Sequence, residues 1–405
     1  MSKNSHPNGD YVSNPQNLFL VLLSFITIAA GTLSFIQSGW QFLTLFVLGW
    51  LIGFSLFQAK YGFASVYRQI IEDGNTVMLR GHMIKLMVAV SLFSLILSGN
   101  VAFFGETPEG AIAPITFGLV IGSFLFGFGM EFGSGLAPAA MREAKGGRTA
   151  SMFTISGFLT GATIGAYQFS FWNTTLPAGP EISLAEDTSL GYFGAWAVFL
   201  FFFVLISIGS YYYKKSTRPP KLTPIPRGTN WTRNILTDWP IWVGAIILAV
   251  LNALVLLVQG SPWKFTGAFA IWGSKIADAI GLDPASWGYW GDQEPLPHLY
   301  ESIFSVNLSV LNLGVLSGAL MTMALAGLIR FGKVPPRVMI ISLIGGTIMG
   351  YGATISFGAN VGAYFSGLAS MSLHAIIWTA MAITGVFTAY ALEKKYRILG
   401  RGYKS

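Results

Sequence analysis

Cysteine is absent from all 405 residues. That excludes disulfides, iron–sulfur clusters, thiolate zinc sites and a cysteine nucleophile together. Charge is nearly as scarce, at 10% of residues, where a soluble domain carries about a quarter. Phosphate-binding P-loop, zincin and nucleophile-elbow motifs are missing, and His6, His82, His298 and His374 show no metal-ligand spacing. These absences point away from an enzyme, from an ATP-driven pump within this chain and from any cofactor.

What is present is apolar. Hydrophobic residues make up 53% of the chain and glycine fills 48 positions. This composition predicts an all-α integral membrane protein, since membrane helices tolerate glycine better than soluble ones. The net charge of +7 would suggest a nucleic-acid partner in a soluble protein. Here the basic residues fall in short loops between apolar runs, so the partner they imply is the lipid bilayer and not nucleic acid.

A bilayer core needs roughly 20 apolar residues per helix. Candidate spans lie near 18–36, 41–58, 84–104, 114–130, 150–170, 191–213, 240–258, 303–328, 338–355 and 371–391, about ten in all. If the spans alternate, 22 of the 24 basic residues face one side. The positive-inside rule makes that side the cytoplasm of a multi-pass inner-membrane protein, with both termini in it. The polar start "MSKNSHPNGDYVSNPQN" reads as a tail before a retained first span.

The expected organisation is a polar tail (1–17), a first membrane half (18–213), a basic proline-rich linker (214–239), a second membrane half (240–391) and a basic tail (392–405). The halves show a weak internal repeat. "GSFLFGFGMEFGSGLAPAAM" (122–141) resembles "GGTIMGYGATISFGANVGAYF" (345–365), and "KYGFASVYRQI" (60–70) more faintly resembles "PWKFTGAFAIWG" (262–273). In the alternating topology the members of each pair face opposite sides. That predicts pseudo-symmetric inverted repeats with short glycine-rich broken helices dipping to the midplane.

Broken backbone at membrane depth survives only when buried in protein or lining a cavity. The glycine clusters therefore predict a lined path. Gly133, Ser134 and Gly135 from one cluster, and Gly358, Asn360 and Gly362 from the other, are its candidate residues. A half-helix N-terminus there would favour an anion. By contrast, the spacings Gly118 to Gly122 and Gly314 to Gly318 read as close helix packing. Glu131, at a span end, is either a coupling site or a carboxylate reaching the interface. His374 reads as a structural hydrogen-bonding group. Trp263, Trp272, Trp287 and Trp290 read as interfacial anchors.

Four stretches, "GFGMEFGSGLAPAAM", "SFGANVGAYFSGLASMSLHAIIW", "YGFASVYRQ" and "PWKFTGAFAIWG", resemble the YeeE/YedE sulfur-transport family from about the second span to the last. Better-known members of that family import thiosulfate. The resemblance implies a pseudo-symmetric helical bundle whose short elements dip from both faces to form an hourglass-like path. It also implies a small inorganic sulfur anion or related solute as cargo. Where the thiosulfate importers carry cysteines, this chain has Ala64, Leu136 and Ala359. Alanine offers no side-chain donor, and leucine adds bulk. Two explanations stay open: a branch that moves a different small solute, using backbone amides with Asn360, Ser134, Thr266 and its neighbour Gly267, or a chain whose cysteines were substituted. The expected function is a membrane permease for a small anionic, thiosulfate-like solute. The alternative is a non-transporting membrane component that docks a small cytoplasmic sulfur-carrier protein on its basic loops.

Overall fold

The computed structural model describes residues 15–59, 63–133, 147–219, 239–329 and 334–396, with the short pairs 12–13, 227–228 and 235–236. The longer helices are α1 (Asn17–Ala59), α2 (Phe63–Asp73), α3 (Val77–Ser98), α4 (Phe117–Gly133), α5 (Gly147–Tyr167), α6 (Gly191–Thr217), α7 (Ile241–Gln259), α8 (Phe265–Ala279), α9 (Asn307–Leu325), α10 (Pro336–Ile355) and α11 (Leu373–Tyr396). Among the described residues, strands form two small two-stranded pairings, Val12–Ser13 with Arg227–Gly228 and Pro114–Thr116 with Ala178–Glu181, beside isolated bridges at Ser183–Ser372 and Trp290–Glu294.

Among the described residues, seven helices, α1, α3, α6, α7, α9, α10 and α11, are long and apolar enough to cross a bilayer, and α4 is a shorter apolar helix. The apolar runs picked from the sequence overlap these helices with shifted bounds: residues 99–104 lie beyond the end of α3, and Pro114–Thr116 is a strand before α4. The first two runs share α1, which is interrupted at Gly39 (φ 76°, ψ −161°), a conformation open to glycine and costly for other residues. A Cβ built on Gly31 would sit 3.2 Å from the Phe46 ring, whereas a straight helix would separate those positions by about 22 Å. The two limbs of α1 therefore fold back on each other at Gly39.

Helices from either side of residues 214–239 pack together. The second limb of α1 lies along α9, α10 lies along α4 and α5, and α11 lies along α4. Small residues make these contacts close. Cβ atoms on Gly314 and Gly318 would fall 2.3 and 2.1 Å from the Phe46 and Trp50 carbonyl oxygens, so this G-x-x-x-G pair is a packing face, as its spacing predicts. Gly118 and Gly122 meet Ile355, Gly352 and Asn173 in the same manner. Long stretches of α1 and α6 leave large apolar side chains exposed, among them Leu18, Phe25, Phe193 and Phe201. Continuous exposure of that kind marks a lipid-facing surface.

Between α10 and α11 the regular helix fails. The chain turns through Phe357 (φ 62°) and Gly358 (φ 144°), runs through a wide helical turn at Asn360–Ser366, and turns again at Met371 (φ 56°). This segment is almost wholly buried.

Candidate functional site

The irregular segment Phe357–Phe365 divides two cavities. The larger, of about 350 Å³, is lined by Phe357 and Gly362 together with Lys264, His374, Asn173, Glu181 and Asp292. The smaller, of about 50 Å³, is lined by Asn360, Tyr364 and Phe365 together with His82, Lys85, Asn252 and Trp263. Residues of one stretch thus face both ways. The turn before α8 does the same, with Trp263 on the smaller cavity and Lys264 on the larger. The two stretches meet at Gly362, where an added Cβ would lie 3.6 Å from Lys264 Cα. Ser366 Oγ donates to the Trp263 carbonyl at 3.2 Å and fixes that junction.

The break holds its shape because its polar backbone has partners. Gly358 N–H donates to the Ala353 carbonyl at 2.8 Å. The fully buried Trp378 donates from Nε1 to Ser356 Oγ (3.1 Å) and to the Gly358 carbonyl (3.2 Å). Asn173 closes the end of α10, donating from Nδ2 to the Ile355 carbonyl at 3.1 Å while its Oδ1 accepts from Thr116 Oγ1 at 2.5 Å. Irregular backbone at membrane depth requires such partners, because hydrocarbon supplies none.

Electrostatically, the larger cavity is graded. Glu181 and Asp292 are exposed, Lys264 is half-buried and His374 is buried. Lys264 makes no hydrogen bond or ion pair with any described residue. His374 Nδ1 lies 2.6 Å from Ser372 Oγ, the hydrogen-bonded role expected of it, and it also lines the cavity. In the smaller cavity the Lys85 ammonium lies 4.6 Å from the centre of the Phe365 ring. His82 stands one turn earlier on the same face of α3.

The candidate residues separate into groups. Gly358, Ala359, Asn360 and Gly362 all belong to the partition; Asn360 lines the smaller cavity, Gly362 the larger, and Ala359 is buried between them. Thr266 and Gly267 occupy the first turn of α8, just beyond Lys264, and line neither cavity; Thr266 Oγ1 is buried without a partner among the described residues. Ala64 follows Phe63, which opens α2 and lines the smaller cavity. Glu131 and Gly133, at the end of α4, lie on neither lining. Glu131 is 3% exposed and its Oε1 accepts from Arg68 Nη1 at 3.1 Å, while Gly133 packs against Thr154 and Gly345. Ser134, Gly135 and Leu136 lie outside the described residues.

One expectation needs correction. Trp263 and Trp290 are only 3% and 7% exposed, so they are not interfacial anchors. Trp263 turns inward because its Nε1 donates to Asn312 Oδ1 on α9 at 2.8 Å. The cavity cations Lys264 and Lys85 were missed, although a signal existed for the first. The two basic residues that fall outside the one-sided loop distribution are Lys264 and Lys275. Lys275 is a structural clamp, donating to the Leu299 carbonyl at 2.7 Å.

Known proteins share this sequence pattern. "Probable transporter YedE" of Escherichia coli (strain K12) is 28% identical over 167 residues, covering 40% of this chain and 41% of that protein. The Salmonella typhimurium protein of the same name gives the same figures. The match thus spans less than half the length of these YedE relatives. "Thiosulfate transporter TsuA" of Escherichia coli (strain K12) is 23% identical over 357 residues, 85% of this chain and 92% of that one. A family model described as "Sulphur transport" matches residues 58–388, from the end of α1 through both turns around the cavities and into α11. This multi-pass membrane protein therefore belongs to the sulphur transport (YeeE/YedE) family.

Proposed function

We propose that the chain is an inner-membrane permease that admits a small inorganic sulfur anion, of which thiosulfate is the type, by way of the two cavities and the partition at Phe357–Phe365. The observation that carries this reading is the pair of cavities on opposite faces of one glycine-containing break, each with a lysine and a histidine in its wall. An anion leaving water needs its lost hydration replaced by fixed donors. Lys264 supplies an ammonium below the exposed rim of the larger cavity. The opening N–H groups of the Asn360–Ser366 turn, which a helix start leaves without intrahelical acceptors, supply neutral donors at the partition. Asn360 adds a side-chain amide beyond it.

Direction follows from the loops. The larger cavity lies among the acidic and neutral loops, so the proposed topology opens it outward, with both termini cytoplasmic. The inverted relation of the halves is supported by Phe63 and Phe265, each of which opens a short helix directly after a long apolar one. Residues 214–239 are the proposed division between them.

The test is transport. Purified chain in lipid vesicles is expected to take up labelled thiosulfate saturably, above empty vesicles and in preference to sulfate. Lys264→Met, which keeps length and removes charge, is expected to lower uptake by about tenfold, the worth of one charge-assisted contact. Absence of uptake from folded protein would overturn the reading.

A further inference from the structure

We infer that the smaller cavity is a second anion-holding station, built by Lys85, His82 and Asn360, which takes the transported anion stripped of its water. This inference rests on the permease reading and adds where the solute pauses. Lys85 lies on α3 within an apolar span, where an ammonium is costly and marks an ion route by default. Its Nζ is held 4.6 Å from the Phe365 ring centre, at the cavity wall and against the partition itself. His82, 5% exposed, projects from the same face one turn away. Asn360 reaches this cavity from the break, and Asn252 lines it from α7.

Two contrasts with the larger cavity give the station its character. Glu181 and Asp292 border the larger cavity, whereas among the described residues none lining the smaller one is acidic. The local field there favours an anion more strongly. Volume points the same way: about 50 Å³ leaves no space for a hydration shell around a bound anion. That suits one small anion without a hydration shell and excludes solutes with long organic chains. The stations are staggered across one wall, through the neighbours Trp263 and Lys264 and through Asn360 and Gly362. An anion arriving at the first can therefore displace one held at the second, the multi-site logic that lets a binding site also release.

The experiment is equilibrium binding of labelled thiosulfate to the purified full chain in lipid nanodiscs, with Lys85→Met, Lys85→Gln, Lys85→Arg and Lys264→Met alongside. Wild type is expected to bind two anions per chain. Lys85→Met and Lys85→Gln are expected to weaken one site by about 10- to 100-fold and leave the other unchanged. Lys85→Arg should restore the weakened site. Methionine fills lysine's volume in a buried setting, and glutamine keeps a polar end, so at least one neutral variant is available for the comparison. A single wild-type site that is lost in Lys264→Met and indifferent to either neutral Lys85 variant would overturn the second station and leave the permease reading standing. No binding of thiosulfate, sulfite or sulfate by folded wild type would overturn both.

Discussion

Charge decides which residues matter, and the decisive ones are few. Lys264, Lys85, His82 and His374 sit in cavity walls, while the half-buried Arg68 and the buried Glu131 form a pair outside them. Glu131 Oε1 accepts from Arg68 Nη1, and its other oxygen is buried without a partner among the described residues. Arg68 also meets Glu72 at 3.0 Å, so this trio ties α2 to the end of α4. Arg68→Met would leave the Glu131 carboxylate buried and unpaired. It is expected to cost about 3 kcal/mol in thermal or denaturant unfolding, and Arg68→Met with Glu131→Met should recover most of the loss. Recovery would assign Glu131 to structure; a double variant as unstable as the single one would mean that the carboxylate has another role. The sequence showed Asn360 and the glycines around it, because polar and helix-breaking residues stand out in an apolar run. It hid Lys85, because Arg80, His82 and Lys85 lower the local hydropathy. The run therefore seemed to begin near residue 84, and Lys85, at its edge, counted with the basic loop, when α3 begins two turns earlier at Val77.

At the scale of elements, the break after α10 is the part most sensitive to a single carbon atom. Gly358 has φ 144°, where side chains are strained, and an added Cβ would lie 2.8 Å from Ala363 N. Gly358→Ala is expected to cost about 1–3 kcal/mol of stability and to reduce uptake even in protein that remains folded, because the partition must shift to admit the methyl group. Unchanged melting and uptake would show that this turn is not fixed as described. The helices themselves were readable: apolar run length finds them, and the faint likeness of residues 60–70 to 262–273 marks two short helices, α2 and α8, that hydropathy alone would pass over. The inward turn of Trp263 was not readable. Its direction depends on Asn312 Oδ1, which lies 49 positions away in sequence and adjacent only in the fold.

Across the whole molecule, glycine-lined helix contacts bring α4, α5, α10 and α11 together on one side and α1 with α9 on another. The irregular stretches before α8 and after α10 meet between them. A rigid frame of close-packed helices holds a partition whose two faces open to different cavities, which is the arrangement a permease needs. The chain's lack of cysteine makes its central element directly accessible to chemistry: Asn360→Cys would carry the only thiol. The measurement to make is uptake of labelled thiosulfate by vesicles containing this variant, before and after reaction with a small charged thiol reagent, with wild type as the unreactive control. Uptake by the variant is expected to fall by about tenfold or more on modification, a barrier rise of about 1.4 kcal/mol, because the adduct fills the small cavity that this position lines, with wild type unaffected. A fully modified variant that transports thiosulfate at its unmodified rate would contradict a path through this partition.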